Sequence, residues 1–560
     1  MERHIFALQI SHLLGESFSR EWVYAQIEIP KQETHGDLAF PCFSLAKHYR
    51  KNPKDIAEEI SQSIKHDVFE SVSATGGFVN VMLNKKFITS HTLNQLLSEP
   101  GEFGTHSFGK GKKVVLDLSA PNIAKPFSMG HLRSTVIGNA VANLAEKCGY
   151  EPVKINYIGD YGTQFGKLLA AYKRWGNPSL IKENPLHELK KIYVKFHQEA
   201  EKNPDLIEEG RQWFRKLEHQ DEEAVELWTW FKDVSLIEFN KVYQLLGVSF
   251  DLTRGEAYYN DKMEATIELL KENNLLEHSE GAEVVRLDEE GLPPCLIRKS
   301  DGTTIYATRD LTAAIDRYQT YAFDESLYVV GHEQTLHFQQ IVHVLKKLNF
   351  EWADRIQHIS FGMMLKDGKK MSTRKGKTIL LEEVLKEAID KARENIEEKN
   401  PQLENKDETA RQVGVGAVIF HDLKHDRRND VEFSLDEMLT FEGHTAPYLQ
   451  YSYVRAKSLL EKGGFTSSSA AAEIDDPEAW SLIKTIRAYP EKIKMAYETY
   501  DPSTIAKHLL DLARSFNQYY AKTNIVNSHN KNEKLTLVYA FSLVLKDGLQ
   551  VLGIETPEKM

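Results

Sequence analysis

The sequence predicts an α/β protein: a parallel-sheet domain interrupted by a helical insertion, with an α+β domain before it and an all-α domain after it. Three observations carry this reading. From Val114, strand, loop, helix and strand follow one another within about 45 residues, a βαβ unit that requires a parallel sheet and a right-handed crossover. Residues 166–295 are highly charged and mostly helical in period. The last third of the chain is helical almost throughout. At 560 residues the chain exceeds what one hydrophobic core serves, so roughly three or four domains are expected.

The first domain spans 1–100. A helical start (Ile5, Leu8, Ile10, Leu13, Leu14) leads to an extended segment over 23–29, a turn at Gly36-Asp37, an apolar helix from Phe40 and a strand over Phe78–Leu83. The Gly-rich polar stretch 101–112 is a linker and opens the second domain, 101–365. There the first strand is Val114–Leu118. A loop from Ser119 to Met129 carries Pro121 and Pro126, and a helix from Gly130 places Leu132, Val136, Ala140 and Leu144 at i, i+4 spacing and ends before Gly149. Val153–Ile158 is the second strand; Leu327–Val330 and Ile356–Ser360 are further ones. Both are followed by polar loops, as ligand sites at the carboxyl ends of parallel strands require.

The insertion is punctuated by Gly176-Asn177-Pro178 and Asn203-Pro204. Residues 366–440 form a connecting, largely helical region, and 441–560 the all-α domain. In the latter Asp501-Pro502 caps a helix whose apolar face is Ile505, Leu509, Leu512, Phe516 and Tyr519. Leu449, Tyr453, Ala456 and Leu460 form a second face, and 462–472 is a low-complexity loop. No internal repeat is visible.

Composition narrows the class. Hydrophobic residues make up 41% and charged residues 27%, which excludes a disordered or fibrous chain. No apolar run reaches the roughly 18 residues of a membrane span, and Glu2, Arg3 and His4 open the chain without a secretory h-region. Cys42, Cys148 and Cys295 are far apart and in no metal-binding spacing, so neither a disulfide framework nor a cysteine zinc site is expected. A cytoplasmic protein follows. A net charge of −12 argues against indiscriminate nucleic-acid binding while leaving room for a local basic track.

Two segments carry chemistry. The first, SAPNIAKPFSMGHLRSTVIGN (Ser119–Asn139), lies at a strand-to-helix turn, where a helix N-terminus offers backbone N–H groups to an anion. Gly130 admits a ligand close to the backbone and His131 can donate to phosphate. Read alone, a Gly-His pair is more often a tight turn with a capping role. The second, KDGKKMSTRKGK (Lys366–Lys377), crowds basic residues into a Gly-containing loop suited to a polyphosphate that develops charge during reaction. Read alone, it is more often a solvated surface loop.

Together the two segments resemble the signatures of class I aminoacyl-tRNA synthetases, an H-I-G-H-type turn at Ser128-Met129-Gly130-His131 and a K-M-S-K-S-type loop at Lys370-Met371-Ser372-Thr373-Arg374. Further segments are similar to arginyl-tRNA synthetases of bacterial type: NYIGDYGTQFGK (Asn156–Lys167), YATRDLTAAIDRY (Tyr306–Tyr318), YVVGHEQTLHFQQ (Tyr328–Gln340), APYLQYSYVRA (Ala446–Ala456) and the closing LGIETPEKM. The resemblance implies a Rossmann-like catalytic domain, activation of arginine with ATP and Mg²⁺, and transfer to the 3′ end of tRNA-Arg. It implies no protein-bound zinc, no membrane and no obligate protein partner; a monomer is the default.

It also implies roles. His131 and Lys370 contact the ATP phosphates and steady the leaving pyrophosphate. Gly130 makes room for adenine or ribose, and Ser128, Met371 and Ser372 complete the nucleotide site. Arginine would be held by Asp117, Asn122, Tyr306, Asp310 and Gln334. Asp310 takes the guanidinium, which is always charged and best met by a carboxylate, and Tyr306 packs on its plane. From the bare sequence Asp310 is equally an ion-pair partner of Arg309 or a helical neighbour.

Two departures stand out. Ser128 replaces the first His of the H-I-G-H pattern, and Thr373 replaces the second Lys of the loop. Lys125 is the proposed replacement cation; its plain alternative is an exposed loop lysine. For tRNA, the family's N-terminal domain contacts the elbow region, where Phe78 and Asn80 match, and its C-terminal domain reads the anticodon. Tyr448, Tyr451, Tyr453, Arg455, Phe516, Tyr519 and Tyr520 offer stacking groups there, although helical spacing already explains Tyr453 and Phe516 as core.

His332-Glu333-Gln334-Thr335-Leu336-His337 imitates the zinc-protease H-E-x-x-H with one residue too many. At about 100° per residue the two His would lie roughly 140° apart on a helix, so zinc proteolysis is rejected. Two other readings stand beside the synthetase: a class I nucleotidyl transferase acting on a small carboxylate, and a silent tRNA-binding paralogue. The large flanking domains speak against the first. The presence of Asn122, His131, Lys370 and Asp310 speaks against the second.

Overall fold

The computed structural model describes residues 2–30, 32–300, 305–371, 379–466 and 476–560. The chain divides into two compact units. One comprises Met1–Phe103, Ala456–Arg487 and Arg514–Leu543; the other comprises Gly104–Arg455, Ala488–Ala513 and Val544–Met560.

The first unit holds a three-stranded antiparallel sheet of β1 (Leu38–Pro41), β2 (Phe69–Thr75) and β3 (Phe78–Leu83), in the order β1-β3-β2. Val79, Val81 and Leu83 alternate into the core and fix the register of the central strand. The β2–β3 hairpin turns at Gly76-Gly77, both with positive φ (62° and 91°), as a two-residue turn between right-twisted strands demands. Two expectations change here. Residues 20–26 form a helix, so of the extended segment over 23–29 only the end is extended, with Glu28 bridging to Ala39; Ser19 caps the helix (Oγ accepts from Trp22 N–H, 3.2 Å) and Val23 and Ile27 are buried at helical spacing. Phe40 lies in β1, and the helix assigned to it begins at Phe43.

The second unit contains, in chain order, β4 (Lys113–Asp117), β5 (Glu151–Asn156), β6 (Leu252–Thr253), β7 (Leu276–Ser279), β8 (Ala282–Val285) and β9 (Cys295–Arg298). There follow β10 (Glu325–Tyr328), β11 (Ile356–His358), β12 (Met364–Lys366), β13 (Lys369–Lys370) and β14 (Val431–Glu432). Five of them make the parallel sheet, in the order β11-β10-β4-β5-β6. From β4 the chain first builds outward through β5 and β6, then returns to the other side of β4 with β10 and β11. The topological switch point therefore lies between β4 and β10, where Asp117 pairs in register with Tyr328.

Helices fill the insertion from Thr163 to Leu246. Gly247, at φ 66°, ends the longest of them, β6 returns to the parallel sheet, and one more helix, Met263–Glu272, follows. β7, β8 and β9 form a separate antiparallel sheet, turned at Glu280-Gly281 with both residues at positive φ. Over the final third of 166–295 short strands thus accompany the helix Met263–Glu272, where the period predicts helix alone. One sheet core gathers Val115, Val153, Ile155, Leu311, Phe338, Ile341 and Ile356.

The C-terminal helices are Ala446–Gly463, Pro477–Glu498, Ser503–Lys522 and Lys531–Val551. The face Ile505, Leu509, Leu512, Phe516 and Tyr519 is fully buried, as its period predicts.

Candidate active site

Beyond Asp117 the chain takes left-handed backbone at Ser119, Ala120 and Ala124 (φ 72°, 48° and 57°). Each such residue costs on the order of 1–2 kcal/mol, so this shape persists only because neighbours hold it. Ser119 N–H donates to Ser134 Oγ (2.8 Å), and Ser134 Oγ in turn donates to the Val329 carbonyl (2.6 Å). Ser119 Oγ lies 2.8 Å from the Tyr243 hydroxyl, which accepts from Asn156 Nδ2 at 3.0 Å. Ala124 N–H donates to Ser235 Oγ (2.9 Å). Tyr243 and Ser235 belong to the helix Glu222–Leu246, so one function of the helical insertion is to brace this loop.

Asn122 bridges to Gly159, whose missing Cβ is required: a methyl there would lie 2.4 Å from Asn122 Oδ1. At the start of the next helix, Ser128 N–H donates to His131 Nδ1 (3.2 Å). The imidazole proton therefore sits on Nε2, the nitrogen left to donate to an incoming oxyanion. Burial drives the His131 pKa down to about 4, and the Lys125 charge pushes the same way, so the ring is neutral at pH 7. Lys125 itself is exposed.

The second signature segment is clamped at both ends beside the first. Upstream, Met371 N–H donates to the Met364 carbonyl (2.9 Å), and β13 pairs with β12. Downstream, Leu381 N–H donates to Phe127 O (2.9 Å), Met129 N–H to Ile379 O (3.3 Å), and Ser128 bridges to Leu380. Ser372, with Thr373 and Arg374, lies outside the described residues. A pocket between the segments is lined by Gly130, Glu333, Phe361, Met364, Lys370 and Met371. Beneath it Arg133, 1% exposed, pairs with the buried Asp422 (2.7 Å) and donates to the carbonyls of Asn429 and Arg427.

A third cluster is carboxylate-rich. Asp117, at the end of β4, accepts from Arg317 Nη2 at 2.7 Å, both side chains being buried; the guanidinium lies between the Tyr157 and Tyr328 rings. Asp310 projects from the helix Tyr306–Tyr321, close enough to Asp117 for their charges to interact. Its Oδ2 meets His337 Nε2 at 2.7 Å, so its partner is His337 rather than the adjacent Arg309. Arg309 instead faces Glu256 at 3.8 Å. Burial, aided by the charges of Asp310 and Asp160 and opposed by Arg309, raises Glu256 to about 7.

Asp160, fully buried, fixes this corner. Its carboxylate accepts from Ala257 N–H and Lys232 Nζ, both at 2.8 Å, and Gly255 leaves the space it fills. Glu256 thus shares the Arg309 charge with neighbouring carboxylates and Asp310 is met by an imidazole, an arrangement that a further guanidinium would stabilise.

Of the residues named from the sequence, Asp117 and Asp310 meet in one cluster. Tyr306 begins the Asp310 helix and is 68% exposed, open to a ligand. Gln334 is exposed at the start of the helix that carries His337. Phe78 is half-buried at the head of β3, with Phe43 against it, whereas Asn80 is buried within the sheet. Tyr448 is half-buried, Tyr451 is exposed with Arg455 over its ring (4.7 Å), and Tyr520 is exposed; Tyr453, Phe516 and Tyr519 are core. His332 turns Nδ1 toward the Phe361 carbonyl, a different neighbour from that of His337. Glu256, Asp160, Arg317 and His337 escape sequence reasoning as members of this cluster, since only tertiary structure brings them to Asp310 and Asp117.

Comparison with known proteins bears on this arrangement. Residues 92–435 match the family described as tRNA synthetases class I (R), catalytic domain; 449–560 match the DALR anticodon binding domain; 4–83 match the arginyl tRNA synthetase N terminal domain. The chain is 55% identical to arginine–tRNA ligase 2 of Bacillus anthracis over 99% of both chains, and 50% identical to arginine–tRNA ligase of Enterococcus faecalis over 100% of both. Among solved structures it is similar to Thermus thermophilus arginyl-tRNA synthetase, with TM-score 0.83 and 26% identity over 100% of both chains. It is also similar to the Plasmodium falciparum enzyme, with TM-score 0.81 and 25% identity over 100% of this chain and 98% of that one.

Proposed function

The chain belongs to the arginyl-tRNA synthetase family, and from that premise we propose how its residues divide the work. The reaction is that of a class I arginine–tRNA ligase. Arginine and ATP form arginyl-adenylate, and the arginyl group passes to the 3′ end of tRNA-Arg.

In the first step a carboxylate oxygen of arginine attacks the α-phosphorus, the bond to the bridging oxygen breaks, and pyrophosphate leaves. In the second a terminal ribose hydroxyl attacks the adenylate carbonyl and AMP leaves. Catalysis of this kind rests on positioning and on charge stabilisation. ATP enters as its Mg²⁺ complex and is substrate in both respects.

His131 donates its Nε2 proton to a phosphate oxygen. Being neutral, it orients that oxygen without fixing a full charge on it. Lys370 and Lys125 supply the cations that neutralise the departing pyrophosphate, Lys125 standing in for the charge that Ser128 lacks. Gly130, Met371, Ser128 and Ser372 frame the nucleotide. The guanidinium of arginine lies against Asp310 and Glu256 with Tyr306 over its plane. Asn122, Gln334 and Asp117 hold the α-ammonium and carboxylate end, Asp117 with the lone pairs that Arg317 leaves to it.

The observations that support this division are the clamping of both signature segments around one pocket at the carboxyl ends of the parallel strands, and the gathering of Asp117, Asp310 and Glu256 into one carboxylate cluster in the same domain. Binding of tRNA is assigned to Phe78 and Asn80 in the N-terminal domain, at the elbow, and to Tyr448 with its exposed neighbours in the C-terminal domain, at the anticodon. The burial of Asn80 makes Phe78 the stronger contact of the two. No helix among the described residues is long and apolar enough to cross a membrane. We assign the enzyme to the cytoplasm, as a monomer without an obligate protein partner.

The test is arginine-dependent ATP–pyrophosphate exchange with and without tRNA-Arg, with lysine and citrulline as controls. Exchange with arginine alone among the three amino acids supports the carboxylate pocket. Exchange with citrulline as well would remove the charge-based reading of Asp310 and Glu256.

A further inference from the structure

We propose that His337 is a positioning residue for arginine selection: it holds the carboxylate plane of Asp310 so that the substrate guanidinium meets it in one orientation. The inference rests on the assignment of Asp310 to the guanidinium and adds the residue that makes that contact directional.

The terminal torsion of an aspartate is soft, so a carboxylate tied only through its own helix presents its oxygens over a broad range of angles. Asp310 is tied a second time. His337 Nε2 lies 2.7 Å from Oδ2, a hydrogen bond in which the ring N–H donates. The donor stands on rigid ground. The next residue, Phe338, is buried in the sheet core with Ile341, on one helix, and Leu311 and Ala314, on the Asp310 helix, belong to the same core. Both partners are a fifth exposed (side chains 20% and 22%), so the carboxylate is still reachable from solvent.

The choice of an imidazole has a chemical reason. Asp117, another acid of the cluster, is held by Arg317, whose charge is permanent and largely cancels its own. An imidazole donates the same hydrogen bond without having to be a cation, so Asp310 can be oriented while its negative charge remains for the ligand. The two holders thereby divide the acids: Asp117 becomes a polar anchor and Asp310 the charged receptor.

The experiment uses the full-length enzyme with tRNA-Arg present and measures ATP–pyrophosphate exchange for His337→Ala, His337→Gln, Asp310→Asn and the Ala/Asn double variant. The substrates are arginine and its homologue longer by one methylene. Loss of orientation at a bound group costs up to about 100-fold. His337→Ala is expected to raise KM for arginine about 10- to 100-fold, with kcat and KM for ATP within about threefold, and to narrow the preference for arginine over its homologue. His337→Gln, whose amide can donate from nearly the same point, recovers most of the loss. In the Asp310→Asn background His337→Ala adds little, since the two act as one unit.

A rise in KM for Asp310→Asn with none for His337→Ala overturns the positioning role and leaves the site standing. No rise for Asp310→Asn overturns the site assignment and this inference with it. A matched fall in kcat and rise in both KM values for His337→Ala, unrescued by Gln, makes His337 merely structural and also overturns it. Should the Ala variant melt at a lower temperature than the wild type, the Gln variant carries the comparison.

Discussion

Asp117 and Arg317, separated by 200 residues of chain, meet at 2.7 Å beneath the switch point of the parallel sheet. Burial, with a smaller push from the Asp310 charge, drives the Asp117 carboxyl upward, and Arg317 opposes this directly. Arg317 in turn keeps its charge against its own burial, with the Asp117 carboxylate as its hydrogen-bonded counter-ion. The pair links β4 to the helix that carries Asp310, so the scaffold and the carboxylate cluster share one interaction.

Breaking this pair from one side leaves a buried charge without its partner. Arg317→Met is expected to destabilise the second unit by about 3–5 kcal/mol, whereas replacing both partners with apolar residues of similar volume recovers much of that. Urea denaturation of the single and double variants provides the check. Equal stability of Arg317→Met and wild type would mean that the pair contributes nothing to folding.

Arginine binding should expel a proton near neutral pH. Glu256 is raised to about 7, so it is partly protonated in the free enzyme, and a guanidinium beside it favours the ionised form. Calorimetric titration at pH 7 in buffers of different ionisation enthalpy reads the released proton directly. Glu256→Gln is expected to abolish the release and to raise the dissociation constant for arginine at least tenfold.

The buried histidines His131, His421 and His508 each have pKa values lowered to about 4, with burial as the first cause. Unfolded histidine titrates near 6.5, so below that pH the unfolded chain binds more protons than the folded one. Their contribution is complete above pH about 6.5 and declines as pH falls toward 4, each site adding up to about 1.4 kcal/mol per pH unit to the slope. Denaturation midpoints from pH 7 to 4.5 test the sign. His508→Phe, which keeps a ring beside Tyr489, should flatten the dependence by one proton.

Gly159→Ala is expected to act on substrate rather than on fold. The added methyl would meet Asn122 Oδ1 at 2.4 Å and push the side chain from its place. KM for arginine should rise roughly 10- to 100-fold with KM for ATP little changed. A parallel rise in both would show that the whole loop has moved.

How far the sequence discloses all this depends on the range of the interactions involved. β3 is legible residue for residue because Val79, Val81 and Leu83 alternate and Gly76-Gly77 marks the turn before it. The buried face of Ser503–Lys522 is legible because its period is long and regular. β6, two residues long, carries no local pattern and exists through its pairing with β5. The helix Arg20–Gln26 is hidden because Trp22, Val23 and Tyr24 favour strands while Ser19 and the buried spacing decide otherwise. In the carboxylate cluster Asp117 and Asp310 stand in motifs that a family resemblance can point to. Glu256 and His337 gain their meaning from neighbours about 50 and 27 positions away, which no single-sequence pattern encodes.

The order of strands in the parallel sheet sets a timetable for biogenesis. During synthesis β4 can pair with β5 early, but its other neighbour, β10, follows only after the whole insertion and the antiparallel sheet have been made. Until residue 317 leaves the ribosome Asp117 lacks the cation that makes its burial tolerable, and until residue 328 follows, one side of the central strand is an open edge. Nascent chains halted within the insertion are therefore the ones most in need of chaperones, and the enzyme cannot assemble its carboxylate cluster before its sheet closes.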